Sequence, residues 1–325
     1  MKNVWKHGAV LAAAIGLGLP AAAQDNYPSR PITMLVGFGA GGGTDVVGRR
    51  LAQELEDILG QPIVVVNRPG GGGLVSWQEL VAGRADGYTT ALFLPVNAFI
   101  QRHLATSESW IDPLEDVRVV GMFNEDPWGF AASADAPFDD APGFAAWSRE
   151  PGNDARVSAG GPATAYHWAW VGFAAAADAE VRVVTYQGGT AAGLRAVAGG
   201  EVVAAGAGPG ESASMVDAGL LQQVAIASRE RMDAFPDVPT FQEQGIDFTF
   251  GITRGLAVPA GTPDEVVEIL ADAVARAYER ESFQEFLATA GFGPGYMSVE
   301  ESRAYLVEQD ALFRDMMARE GLLRD

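Results

Sequence analysis

Gly37-Phe38-Gly39-Ala40-Gly41-Gly42-Gly43-Thr44-Asp45 joins a short apolar run to an amphipathic one. Of all segments in the chain it is the best equipped for chemistry. Glycines leave backbone N–H groups uncovered at the start of a helix, where the peptide dipoles favour negative charge. A carboxylate or phosphate is the natural occupant of such a loop. Thr44 and Asp45 have two readings, because either can cap the helix or touch a ligand. Gly37, Gly39 and Gly42 also satisfy GxGxxG. A dinucleotide fold would place an acidic residue after the next strand, on the ribose hydroxyls. Asn67-Arg68 stand there instead. An arginine would favour a 2′-phosphate, so an NADP-dependent oxidoreductase stays open as an alternative.

Hydrolytic chemistry finds less support. No GxSxG elbow occurs, and beyond the N-terminal segment only His103 and His167 are available as a base. Glu54, Glu56 and Asp57, like Glu279 and Glu281, sit at spacings typical of a solvated helix face. The chain has no cysteine, which removes disulfides, thiolate metal sites and thiol nucleophiles together. No catalytic residue, metal site or cofactor is therefore assigned.

The elements that must position the glycine loop follow from periodicity. Ile32 to Gly37 reads as a buried strand, and Thr44 to Leu59 as a helix with Val47, Leu51, Leu55, Ile58 and Leu59 at helical spacing. Gly60 stops that helix, and Ile63 to Val66 is the second strand. A loop through Asn67-Arg68-Pro69-Gly70 precedes a helix over Leu74 to Ala82, and Tyr88 to Leu94 is the third strand. Further strands are expected at 156–159, 181–186, 202–206, 223–227 and 248–258. Helices are expected at 144–147, 264–280, 282–290 and 298–319. This alternation is the mark of α/β layering.

The chain has 325 residues, and a single core rarely grows past about 250–300, so two lobes are expected. Lys2 and Lys6, an apolar run from Ala9 to Leu19, and Pro20-Ala21-Ala22-Ala23 have the layout of a secretory signal peptide over 1–23. Its removal leaves 302 residues and no lysine, with 20 Arg against 42 Asp plus Glu, a net charge of −22. Such a balance excludes nucleic acid as a partner, since phosphate-binding surfaces need clustered Lys and Arg. An exported, soluble protein is expected.

Several ordered pieces make a more specific pattern. Tyr27-Pro28-Ser29-Arg30-Pro31-Ile32, Gly39 to Asp45, Asn67-Arg68-Pro69-Gly70 and Asp86-Gly87-Tyr88-Thr89 come first. Val184-Thr185-Tyr186-Gln187-Gly188-Gly189, Phe235 to Thr240 and Pro259-Ala260-Gly261-Thr262-Pro263 follow. In this order and spacing they resemble the Bug-type (TctC-like) substrate-binding proteins of tripartite tricarboxylate transporters. Val75-Ser76-Trp77, Gly208 with Glu211, and Arg254-Gly255 look like the tricarboxylate branch.

The resemblance implies an α/β, two-lobed type II periplasmic binding protein fold. Each lobe would be a mixed sheet flanked by helices, with the ligand cleft at the hinge. Residues 24–124 and about 250–300 would form one lobe and 125–249 the other, with a C-terminal helix over 301–325 packing across or onto the second lobe. It implies a periplasmic monomer that captures an organic carboxylate, a di- or tricarboxylate or an aromatic acid, and hands it to membrane permease subunits, without catalysis. A sensor subunit for a two-component system is the alternative of the same ligand class.

Carried over, the first ligand loop is Gly39, Ala40, Gly41, Gly42, Gly43, Thr44 and Asp45. The second is Gly160 to His167, with Thr164, Ala165, Tyr166 and His167 as candidates. Pro162 removes an amide donor from that second loop. His167 is equally readable as a helix-start residue, and Tyr166 as core or hinge packing. Asn97, Tyr186, Glu211 and Arg254 complete the set. Arg254 suits either a bidentate carboxylate clamp or a hinge salt bridge.

Overall fold

The structure is a computed structural model, and it describes residues 27–104, 111–160, 164–186, 189–319 and 323. The expected signal peptide and Pro162 lie outside the described residues. In the first part of the chain, β1 (Ile32–Val36), α1 (Gly43–Leu59), β2 (Ile63–Asn67), α2 (Leu74–Ala82), β3 (Thr89–Phe93), α3 (Pro95–Leu104) and β4 (Val117–Pro127) follow one another. The middle comprises β5 (Gly129–Ser133), α4 (Ala141–Ser148), β6 (Arg156–Ala159), α5 (Ala165–Ala177), β7 (Arg182–Thr185), α6 (Gly189–Ala198), β8 (Ala204–Ala207), α7 (Pro209–Asp217) and β9 (Leu221–Ile226). The chain ends with β10 (Gly251–Pro259), α8 (Asp264–Glu279), α9 (Glu281–Ala290) and α10 (Val299–Arg319).

Two five-stranded sheets result, ordered β2-β1-β3-β10-β4 and β7-β6-β8-β5-β9. They share one plan. Three parallel strands are followed by a reversed strand, β10 or β5, that pairs antiparallel on both sides. In each sheet the reversed strand is the one the chain enters on crossing from the other. The chain leaves the first sheet at Pro127, begins the second at Gly129, and re-enters the first at Gly251. At the crossing the connections hydrogen-bond to each other: Trp128 N–H to Phe250 at 2.8 Å, Ala227 N–H to Trp128 at 2.8 Å, and Phe250 N–H to Ala227 at 3.0 Å. This is the α/β two-lobed architecture with a mixed sheet in each lobe.

Local chemistry accounts for these elements. On α1, Val47, Leu51 and Leu55 are buried against the first sheet, each contributing about 1.5–3 kcal/mol. Gly60 ends the helix in the left-handed region, its N–H returning 2.9 Å to Glu56. In the second lobe Trp128 stacks on Phe241 at 5.5 Å and meets Trp170 edge-on at 5.0 Å. Phe130, Phe144 and Phe173 extend this aromatic core. The apolar cluster containing Trp128 continues through the crossing to Phe93 and Phe99 of the first lobe, so the lobes share packing as well as chain.

The C-terminal helix differs from its expected place on the second lobe. α10 packs on α3 and β4 of the first lobe, burying Leu306, Phe313 and Met317. Polar ties fix it there: Asp310 meets His103 Nε2 at 3.1 Å, and the hydroxyls of Tyr305 and Thr253 are 3.0 Å apart. The lobes also touch at Gly210, the second residue of α7. A Cβ at this position would stand 2.0 Å from the Ala290 carbonyl oxygen at the end of α9.

Candidate functional site

In both sheets a helix follows each parallel strand, directly or after a short turn. The helix N-termini therefore gather at the carboxyl ends of the strands, where open α/β sheets place their ligand sites. The two sets of ends face each other across a small cavity with about 60 Å³ of free interior. Gly39, Gly42, Gly43 and Thr44 line it after β1, and Asn97 after β3. From the second lobe come Thr164, Ala165 and Tyr166 after β6 and Glu211 after β8, while Arg254 enters from β10.

Ten of the fifteen candidate residues are thus brought together. Phe38, Leu94, Gly160, Gly189, Thr190 and Ile252 complete the lining. Phe38 and Gly160 were visible inside the two quoted loops. Leu94 and Ile252 carry no motif, and only the strand-end position distinguishes them.

Five candidates lie elsewhere. Ala40 and Gly41 are exposed on the outer side of the first loop. Asp45 turns back into the protein: its carboxylate accepts from Gly41 N–H at 2.9 Å, Asn67 Nδ2 at 2.8 Å and Arg49 Nε at 3.0 Å. Burial alone would raise its pKa, but these hydrogen bonds outweigh it and hold the group below its ordinary value. Asp45 therefore braces the glycine loop. His167 is half-buried on α5, its Nδ1 without a hydrogen bond, and burial lowers its pKa. Tyr186 packs beside the cluster of Leu194, Val197 and Leu221.

Direct bonds already join the lobes across the cavity. Gly43 N–H donates to Glu211 Oε1 at 3.0 Å, and Ala165 N–H donates to Asn97 Oδ1 at 2.9 Å. The other Glu211 oxygen accepts from Tyr166 OH at 2.9 Å and Gly208 N–H at 2.8 Å. The last of these is half of a capping box, with Glu211 at the third position of α7. The first loop of α1 thus holds a carboxylate, and it belongs to the protein. Gly43 permits the approach, because a Cβ there would stand 2.7 Å from Glu211 Oε1. Burial, then the nearby Glu211 charge, pushes the Tyr166 pKa well above its ordinary value of 10, so this hydroxyl remains a donor.

Arg254, in the lining of the cavity, is held through its Nη1 and Nε. Its Nη1 donates to Asp126 Oδ2 and Asn124 Oδ1, and its Nε donates to Thr44 Oγ1 at 3.1 Å. Both side chains of the Arg254–Asp126 pair are 2% exposed. Burial would lower the guanidinium pKa, yet Asp126, with Tyr166 and Glu211, carries it above its ordinary value. The salt bridge near the crossing, one of its two sequence readings, is present. Asp126 is itself held by Asn124 Nδ2 at 2.8 Å and Gly293 N–H at 2.9 Å.

The dinucleotide alternative loses its footing in this arrangement. Asn67 is tied to Asp45 and Phe38, and Arg68 pairs with Glu79 at 2.8 Å. Among the described residues no group of three or more His, Cys, Asp or Glu is arranged to hold a metal, and no helix is long and apolar enough to cross a membrane.

Comparison with known proteins agrees with this geometry. The family described as the tripartite tricarboxylate transporter family receptor matches residues 47–322. A UPF0065 protein from the gbd 5′ region of Cupriavidus necator is 30% identical over 321 residues, covering 97% of this chain and 96% of the relative. The solved periplasmic binding protein BugD superposes with a TM-score of 0.84 at 25% identity, over 92% of this chain and all of that one. MatC from Rhodopseudomonas palustris, solved with bound malate, gives a TM-score of 0.81 at 25% identity, over 89% of this chain and 99% of its own. Family, fold and cleft point the same way, and the chain belongs to the TctC family of tripartite tricarboxylate transporter receptors, which are periplasmic solute-binding proteins.

Proposed function

We propose that this protein captures a small organic carboxylate between its lobes in the periplasm and delivers it to the permease subunits of a tripartite tricarboxylate transporter, without transforming it. The observation that carries the reading is the Gly43 N–H holding a carboxylate, that of Glu211, at the N-terminus of α1. A helix start that seats an internal acid has the donors and dipole to seat a ligand acid. Malate bound to the related MatC supports the ligand class.

Magnitudes are adequate. Hydrogen bonds to charged groups contribute about 1.5–3 kcal/mol each, so three or four reach the roughly −8 kcal/mol of micromolar affinity. The acidic surface does not oppose this. Beyond about 8–10 Å its field is screened at ordinary salt, whereas amide donors act at about 3 Å. Closure of two lobes around a ligand then supplies the conformational signal for a membrane partner.

A thermal-shift panel of mono-, di- and tricarboxylates tests the reading, using protein unfolded and refolded to strip carried-over ligand. At least one acid should raise the melting temperature in a concentration-dependent way. No shift with any carboxylate would overturn the proposal.

A further inference from the structure

We infer that Glu211 determines charge selectivity, reserving the cleft for ligands with one carboxylate and an apolar body. The inference rests on the carboxylate reading above and narrows it. Among the described residues, Glu211 and Arg254 are the charged side chains lining the cavity. Arg254 is already neutralised by Asp126, both fully buried. Glu211 therefore leaves the cleft with one uncompensated negative charge, held between Gly43, Tyr166 and Gly208.

Donors for a ligand remain among the described residues of the lining. Gly43 N–H is spent on Glu211. The Thr44 hydroxyl accepts from Arg254, which leaves its own proton to donate. Thr190, near the start of α6, offers a second hydroxyl in the lining. Together they suit one carboxylate. Phe38, Leu94, Ile252 and Ala165 form an apolar part of the wall, beside the polar Asn97, Thr164 and Tyr166. A second acid group placed near Glu211 would meet a like charge, which is unfavourable for an ion in a confined space.

The test compares butanoate with succinate, which match in chain length and differ by one carboxylate. Calorimetry on the refolded wild type should show butanoate binding at least tenfold tighter. Glu211→Gln removes the charge and keeps the shape, and should narrow that ratio by tenfold or more, a change of about 1.4 kcal/mol. Reading the ratio within one protein cancels any general loss of affinity from the altered cap. Should Glu211→Gln not fold, the wild-type ratio alone decides, because tighter binding of succinate overturns the inference. An unchanged ratio in the variant overturns it as well. If no carboxylate of any kind binds the wild type, the carboxylate reading fails first, and that result is distinct from a reversed preference.

Discussion

Asn97 joins three segments through one side-chain amide. Its Oδ1 accepts the Ala165 N–H at 2.9 Å across the cleft, while its Nδ2 donates to the Gly72 carbonyl at 2.9 Å within its own lobe. Ala165 opens α5, so Asn97 supplies an acceptor to a first-turn amide that has none inside the helix. The bond exists only when the lobes are together. Asn97→Ala is expected to weaken ligand binding up to about tenfold, as one hydrogen bond of about 0.5–1.5 kcal/mol is lost from the closed form. Calorimetry measures this, and an unchanged Kd would count against the role.

Asp126 is expected to matter more for folding than for binding. Asp126→Ala strands the Arg254 guanidinium in the interior, at a cost of about 3–5 kcal/mol. Pairing it with Arg254→Met removes the stranded charge and should recover a large part of the loss. Urea denaturation of the single and double variants gives the coupling directly.

Neighbouring glycines of the first loop should behave differently. At Gly42 a Cβ would meet only the Gly39 carbonyl at 3.4 Å, an ordinary contact, so Gly42→Ala should bind near normally. At Gly43 the same methyl would stand 2.7 Å from Glu211 Oε1. Gly43→Ala should leave each lobe folded and hold the cleft open, which small-angle scattering would detect as a larger radius of gyration. Equal behaviour of the two variants would remove the Glu211 contact from the closure mechanism.

His167 makes stability pH-dependent in a stated direction. Burial lowers its folded pKa below the ordinary 6.5, so the unfolded chain takes up the proton first. The favourable contribution is complete above 6.5 and is lost as pH falls through that value towards the folded pKa. Comparing wild type with His167→Gln by urea denaturation between pH 8 and 5 should show a shallower decline in the variant.

Most of the architecture was legible because periodicity reports burial. The helix over Leu74–Ala82 and the strand over Arg156–Ala159 appear with the expected bounds, and α1 starts one residue early, at Gly43. β4 and β5 were not expected as strands at all. Residues 117–133 run across the hinge with only Trp128 between them, so no turn signal marks the change of sheet. α10 was found by pattern but expected across or onto the second lobe, because the ties to His103 and Thr253 that hold it on the first are tertiary. In the site, glycine and hydroxyl positions were readable from the loops. Asp45 and Arg254 were ambiguous because a cap, a brace and a ligand contact use the same side-chain chemistry. Their partners, Asn67 and Asp126, decide between them and are remote or unmarked in sequence.

The contact of Gly210 with the Ala290 carbonyl gives the hinge an end stop. Backbone meeting backbone has no rotamers to yield, so this contact resists any closer approach of the lobes. A ligand that fits the interior lets the lobes reach this stop. One that is too long props them ajar, and the misfit appears as an angle magnified over the length of each lobe. On the proposed transport role, a partner gripping both lobes can thereby gauge the cargo without touching it.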